Sequence, residues 1–327
     1  MLRHRKSFDI FNMAIGFCTC VALLGVAMSA GCSFGTKEPK IVSGDLKKGL
    51  VIVLPGIEGS SSLNKDICKG LREGGVKYAV ELYDWTVQVP VFGYVYNQRA
   101  EGRNRTKAVE IATTILHYQR AHPGKPVIVV GQSGGGAMAV WIAEAMPAGT
   151  KVDGVILLAA SLSPQYMLDV ALSKSDRGIV NFYSAKDWVL LGVGTTVVGT
   201  MDGSHTSSAG KVGFDVSASK AYSRLYQITW TPKMAETGFK GTHLSSGAEP
   251  FIASYIAPLV LTRKWNQDVI NALLRGEDIA RNDADPAPAA ASARPAVAVS
   301  PAQTVAAPVS ARSTKTPTNK PDFSSRQ

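Results

Sequence analysis

The sequence predicts an α/β domain, a mainly parallel sheet flanked by helices, and three observations carry that prediction. Strand-like and helix-like segments alternate along the body of the 327-residue chain, the signature of strand–crossover–strand units. The strand-like runs are continuously apolar and β-branched, as in residues 127–130, which suits strands buried on both faces. And the stretch PVIVVGQSGGGAMAVWIAEAMP, residues 126–147, joins such a run to an alanine-rich helix through a glycine turn carrying one serine.

Taken in order, residues 50–54 read as the first strand and 63–73 as a helix. A strand at 78–82 and an amphipathic helix at 106–120 follow. The run 127–130 is the next strand, and residues 137–146 form a helix that Pro147 stops. A strand at 155–159, a helix at 164–172 and a strand at 179–183 come next. The last strand is expected at 224–230 and a closing helix at 251–260. No room exists between residues 160 and 179 for a large cap domain, so a site at this end of the sheet should be open.

The ends differ from the body. Residues 1–31 combine a basic start with a short apolar core and small residues, the pattern of an export signal. The run Ser29-Ala30-Gly31-Cys32 resembles a bacterial lipoprotein signal box, which implies lipidation of Cys32 and a membrane anchor in the cell envelope. Ser29 stands where that family usually has leucine, and ordinary signal cleavage or an uncleaved anchor is the alternative. Residues 32–47 then read as a linker, 48–280 as the domain, and 281–327, rich in Ala, Pro, Ser and Thr, as a disordered tail. The net charge of +10 is not gathered into a basic helix with interleaved aromatics, so nothing points to nucleic acid. Only Cys68 of the four cysteines lies in the domain body. It reads as a packed small hydrophobe, and no Cys/His cluster has metal-ligand spacing.

Gly131 and Gly135 flank Ser133 at minus two and plus two. That is the G-x-S-x-G nucleophile elbow, in which a strained strand-to-helix turn lifts a serine hydroxyl above the sheet. Gly134, Gly136 and Ala139 also fit a phosphate-cradling G-x-G-x-x-A, with Asp153 near the spacing of a ribose-binding acid. However, Asp153 precedes its strand, whereas such ligands sit at the carboxyl ends. The order of elements, with the serine after an internal strand, resembles the α/β-hydrolase fold over approximately residues 48–275.

In that family the triad runs serine, acid, histidine. The resemblance implies Asp187, just past the second strand after the elbow, as the acid, and His243, in the glycine-flanked GFKGTHLSSG loop after the last strand, as the base. It likewise implies oxyanion donors at Gly134 and at Ile57, in the LPGIEGSS loop after the first strand. The residue types suit acyl transfer: a serine hydroxyl needs a base, an imidazole titrates near neutrality, and a carboxylate holds the ring's tautomer. His205, in the long Gly/Ser/Thr excursion after Asp187, is the rival base. Lys186 is an alternative partner for Asp187, and Glu58 either lines the site or is a solvated loop carboxylate. Trp85, Phe92, Tyr94 and Tyr96 either wall a pocket or pack a long loop. PGIEGS followed by Tyr83-Asp84-Trp85 is similar to the lecithin–cholesterol acyltransferase-like lipases, but their next residue, arginine, is Thr86 here.

The expected activity is that of an exported serine esterase, acting on a small ester or lipid and needing no cofactor or metal. The alternative is a catalytically silent envelope-anchored binding protein of the same fold.

Overall fold

A computed structural model describes residues 40–88, 93–188, 199–216 and 220–282. Its centre is one seven-stranded sheet of order β1-β3-β2-β4-β5-β6-β7. The strands are β1 Lys40–Ser43, β2 Asp45–Leu54, β3 Tyr78–Leu82, β4 Val127–Gln132, β5 Gly154–Leu158, β6 Ile179–Tyr183 and β7 Leu225–Thr229. All neighbours pair in parallel except β1, which lies antiparallel along β3.

Side chains alternate strictly between two cores, as the two-residue period of a strand requires. Leu50, Ile52, Val127, Val129, Val155 and Leu157 face one layer. Val51, Val53, Ile128, Val130, Ile156 and Leu158 face the other. Both faces of the inner strands are therefore buried, which is why β2 and β4 read as apolar runs. The first layer packs on helix α3 (Glu101–Ala121), through Ile111 and Ile115, and on α4 (Gly134–Ala145), through Met138 and Trp141. Helix α1 (Ser62–Glu73) covers the second layer with Ile67 and Leu71, and helix α2 (Gly93–Arg99) lies between β3 and α3. The second layer is completed by a segment that begins at Glu249–Phe251, widens into a π-helical turn at Ile252–Ile256 and ends at Ala257–Leu261.

Several expectations need correction. The sheet begins at Lys40, inside the stretch expected to be a linker, because residues 40–43 pair with β3 and residue 45 starts β2. The helix after the elbow starts at Gly134 rather than residue 137, and the helix expected at 106–120 begins at Glu101. Of the helix expected at 164–172, only Asp169–Ser173 forms. The preceding residues turn instead, with Tyr166 N–H bonded to the Ser163 carbonyl. Tyr166 Oη meanwhile meets Glu144, Arg105 and Trp141 across α3 and α4. Helix Gln267–Arg275 was not anticipated. Its signals were present: Asn266 accepts from Val269 N–H at 2.8 Å, and Gly276 ends the helix in the left-handed conformation. The expected signal and Cys32 lie outside the described residues, as does the tail beyond residue 282.

Phe251 anchors the second layer, its ring 4.7 Å from Phe239, 5.2 Å from Tyr255 and 5.5 Å from Phe182. Truncation there leaves a cavity the neighbouring rings cannot fill. Phe251→Ala should lower the unfolding free energy by about 3–5 kcal/mol, measured by urea denaturation at unchanged m-value.

Candidate active site

Ser133 sits between the last residue of β4 and the first of α4 with φ 55° and ψ −121°. Among the described non-glycine residues only Ala159 shares a positive φ, at 52°. Such a conformation costs on the order of 1–3 kcal/mol and persists only where its surroundings enforce it. They do so here. Ser133 N–H donates to the Leu158 carbonyl at 2.9 Å, and the Ser133 carbonyl accepts from Gly136 and Ser161 at 2.9 and 3.0 Å. A Cβ on Gly131 would lie 2.1 Å from the Gly135 carbonyl oxygen, and one on Gly135 would lie 2.2 Å from that of Leu54. Both motif glycines are thus spatial requirements of the turn. The Gly134 position lies against the loop after β2: a Cβ there would be 2.8 Å from Ile57 Cγ2 and 3.4 Å from Ile57 N. The two expected oxyanion donors are therefore neighbours.

The loops after β6 and β7 bring the next two residues together. After β6 the chain turns, Asp187 N–H bonding the Ser184 carbonyl at 2.8 Å. After β7, Gly241 takes a positive φ of 84°, and Thr242 with Ser245 forms a capping box at the start of the 3-10 turn His243–Gly247. His243 Nδ1 and Asp187 Oδ1 lie 2.8 Å apart and both side chains are buried. A carboxylate on Nδ1 assigns the proton to that nitrogen and leaves Nε2 as the acceptor. Lys186 does not take Asp187; its ammonium rests over the Trp230 ring at 3.7 Å.

His205 lies apart from this pair. It is exposed and lines an open depression with Arg99, Glu101, Thr200, Met201 and Gly203. Asp153 accepts the Val127 N–H at 2.7 Å at the amino end of β4, which suits a structural role and not a ribose ligand. Cys68 is buried, and burial pushes its thiol up to about 12.

The aromatic residues of the β3–α3 connection divide. Trp85 is fully buried beneath the loop after β2, while Tyr94 and Tyr96 are about half exposed on α2. Phe92 lies outside the described residues. The sequence reading missed the hydrogen bonds this connection makes to the loop after β2, from Trp85 and from Asn97 on α2. The Tyr-Asp-Trp motif was the available signal for the first, and nothing in the sequence marked the second. Thr86, standing where the similar lipases have arginine, donates to Asp84 Oδ1 at 2.6 Å.

Glu58 is half-buried in the same loop as Ile57. Desolvation raises its pKa above the ordinary carboxylate value, opposed by backbone N–H groups of Glu58 and Gly56 and by the nearby His243. It is therefore a partly desolvated carboxylate and not a fully solvated one. A Cβ on Gly56 would meet Glu58 Oε2 at 2.3 Å and Gln132 Oε1 at 3.0 Å.

A family described as serine aminopeptidase, S33, matches residues 46–185, fewer than half of the chain. That span takes in Ile57, Ser133 and Gly134 and stops just before Asp187. No curated protein matches the chain. Among solved structures the chain is similar to Aspergillus fumigatus lipase B at 13% identity and a TM-score of 0.47, covering 74% of this chain and 60% of that one. It is also similar to a dienelactone hydrolase from Anabaena variabilis at 14% identity and a TM-score of 0.41, covering 68% and 92%. A monoacylglycerol lipase from Paleococcus ferrophilus follows at 11% identity and a TM-score of 0.40, covering 67% and 97%. The fold is of α/β-hydrolase type, with no large cap among the described residues.

Because the folded state holds the Glu58 proton more tightly than the unfolded chain, stability linked to this group is full below about pH 4.5. It declines as pH rises from there through the raised folded value. Glu58→Gln removes that decline. The variant's stability relative to the parent should therefore improve between pH 4 and pH 8, read from urea midpoints; a pH-independent difference would contradict the assignment.

Proposed function

We propose that the protein is a serine hydrolase that cleaves carboxylic esters through an acyl-enzyme. The observation that carries this reading is the buried His243–Asp187 hydrogen bond, placed at the same end of the sheet as the strained turn of Ser133. Ser133 attacks the carbonyl while His243 Nε2 takes its proton, and Asp187 stabilises the imidazolium. The N–H groups of Ile57 and Gly134 receive the oxyanion. His243 then returns the proton to the leaving alkoxide, and water activated by the same nitrogen releases the acid. The roles of Ser133, Asp187, His243, Ile57 and Gly134 are all part of the proposal.

A small or medium ester is the favoured substrate, since the stretch between β5 and β6 carries only a one-turn helix where a cap would stand. The reading extends to place. The basic and apolar start of the chain and the box ending at Cys32 favour export and lipid anchoring in the cell envelope.

A fluorophosphonate reports an assembled base and oxyanion hole, and it should label the folded protein on Ser133. Ser133→Ala should abolish labelling and lower ester turnover by on the order of 10⁴ or more with the fold intact, and His243→Ala should approach that loss. Their effects should not add, because both act in one step, whereas His205→Ala should keep most activity. On a panel of esters, turnover should peak at short to medium acyl chains without a jump on emulsions. A folded parent that neither labels nor turns over any ester would instead favour a silent binding protein.

Cys32→Ala should shift the protein from the membrane fraction to the soluble one. Unchanged partition with the signal cleaved would refute the anchor and leave the chemistry untouched.

A further inference from the structure

The Ile57 N–H belongs to the peptide unit between Gly56 and Ile57. Its direction depends on how that planar unit is rotated, and Gly56, without a Cβ, restricts that rotation little. Three carbonyls in succession are held there. The buried Trp85 indole N–H donates to the Pro55 carbonyl at 2.7 Å. Gly59 N–H donates to the Gly56 carbonyl at 3.1 Å. Asn97 Nδ2 donates to the Ile57 carbonyl at 3.0 Å.

Asn97 is itself fixed. Its Nδ2 also donates to the Val87 carbonyl at 3.1 Å, its Oδ1 accepts the Val87 N–H at 2.9 Å, and its own carbonyl accepts from Asn104 Nδ2 at 2.7 Å. Both Trp85 and Asn97 are essentially inaccessible to water. Their sequence neighbourhoods explain neither choice by packing alone. A phenylalanine would keep an aromatic ring at the Trp85 position but lose the donor, and Asn is a poor former of the interior of a short helix.

We infer that Trp85 and Asn97 are positioning residues for the oxyanion hole, holding the loop so that the Ile57 N–H faces the carbonyl undergoing attack. The inference rests on the proposed hydrolase reading. Neither side chain touches substrate. Each removes a way for the 56–57 peptide to rotate, which would replace a donor with a carbonyl where negative charge develops. Gln98, next to Asn97 on α2, donates to Ser161 Oγ at 3.0 Å and the Gly199 carbonyl at 2.8 Å. The same short helix is thereby tied to the loop after β5, whose Ser161 N–H holds the Ser133 carbonyl.

The test compares Trp85→Phe and Asn97→Asp with the parent. Each keeps most of the volume and removes N–H donors, and Asp retains an acceptor for Val87. Both variants should show kcat and the rate of fluorophosphonate labelling of Ser133 reduced about tenfold to a hundredfold, less than or equal to the loss of a hole donor. KM should stay within about threefold of the parent. The inhibition constant of a trifluoromethyl ketone, which forms the oxyanion on Ser133, should rise by the same factor as kcat falls. Tyr118→Phe supplies the structural control, since it deletes a partly buried hydrogen bond to the Leu46 carbonyl at the far end of the sheet. It should lower Tm without slowing labelling. Should Asn97→Asp not fold, Trp85→Phe alone decides. Labelling at the parental rate, or a change confined to KM, overturns the inference while the hydrolase reading stands. A folded parent that does not label removes both.

Discussion

The rest of the site depends on one steric constraint, the crossing of β4 and α4 at Ser133. A strand can pass directly into a helix above the sheet only if the residue between them leaves the ordinary regions of φ and ψ. Here that residue is at φ 55°, and the backbones on either side come so close that a methyl on Gly131 or Gly135 would strike a carbonyl. The strain is held by three hydrogen bonds, one to the last residue of β5, one from the loop after it and one from α4 itself. The consequence is geometric: the turn stands at the carboxyl end of β4, the end from which the loops after the other parallel strands also leave. Those loops can reach it only because every crossover returns the chain to the same end of the sheet.

The residues of the proposed site come from four different strand ends, and each loop must be stiff for its own reason. Asp187 is held by a turn onto Ser184, His243 by a glycine and a capping box, and Ile57 by a file of anchored carbonyls. Buried hydrogen-bond donors serve stiffness better than apolar contact here, because an unsatisfied partner costs about 1–3 kcal/mol and so penalises every alternative rotation. This division fits a sheet that is mostly apolar, with Glu81, Gln132 and Asn181 as buried polar exceptions, while Asp84, Asn97, Gln98, Asn104, Ser133, Asp187 and His243 are buried in the loops and helix starts beyond its carboxyl end.

What was legible in the sequence follows the same division. The inner strands announced themselves because two-sided burial demands apolar runs, and five of the strand positions were placed within a residue or two. The elbow was legible because its glycines are steric necessities. Asp187 and His243 were legible by chain order, and of the two candidate bases it is His243 whose Nδ1 lies 2.8 Å from Asp187 Oδ1. The edge strand Lys40–Ser43 was not, because an antiparallel edge needs only one paired side and carries no long apolar run. Nor was α2, whose buried face is Asn97 and Gln98 rather than leucines, so that no hydrophobic period marks it. Its outward face keeps Tyr94, Val95 and Tyr96 exposed, reversing the usual pattern. A helix that exists to carry hydrogen bonds to neighbouring loops reads, in sequence, as a loop.

Glu58 shows how tightly charge is constrained in such a place. A carboxylate is an awkward neighbour for an oxyanion: two unit negative charges about 6 Å apart repel by about 3 kcal/mol at an effective dielectric near 20, enough to undo a good hydrogen-bond donor. Removing it from water works in the opposite direction, because desolvation disfavours the charged form, and burial is the largest influence on Glu58. The same loop that offers the Ile57 N–H therefore also biases its own acid toward keeping a proton. The imidazole of His243 pulls the other way. In the proposed reaction the imidazole becomes a cation as the oxyanion forms, so the two new charges act on Glu58 with opposite sign. Its net effect on the proposed transition state is then a difference of two Coulomb terms set by where the loop holds it, a loop whose Pro55 and Ile57 carbonyls are bonded by Trp85 and Asn97.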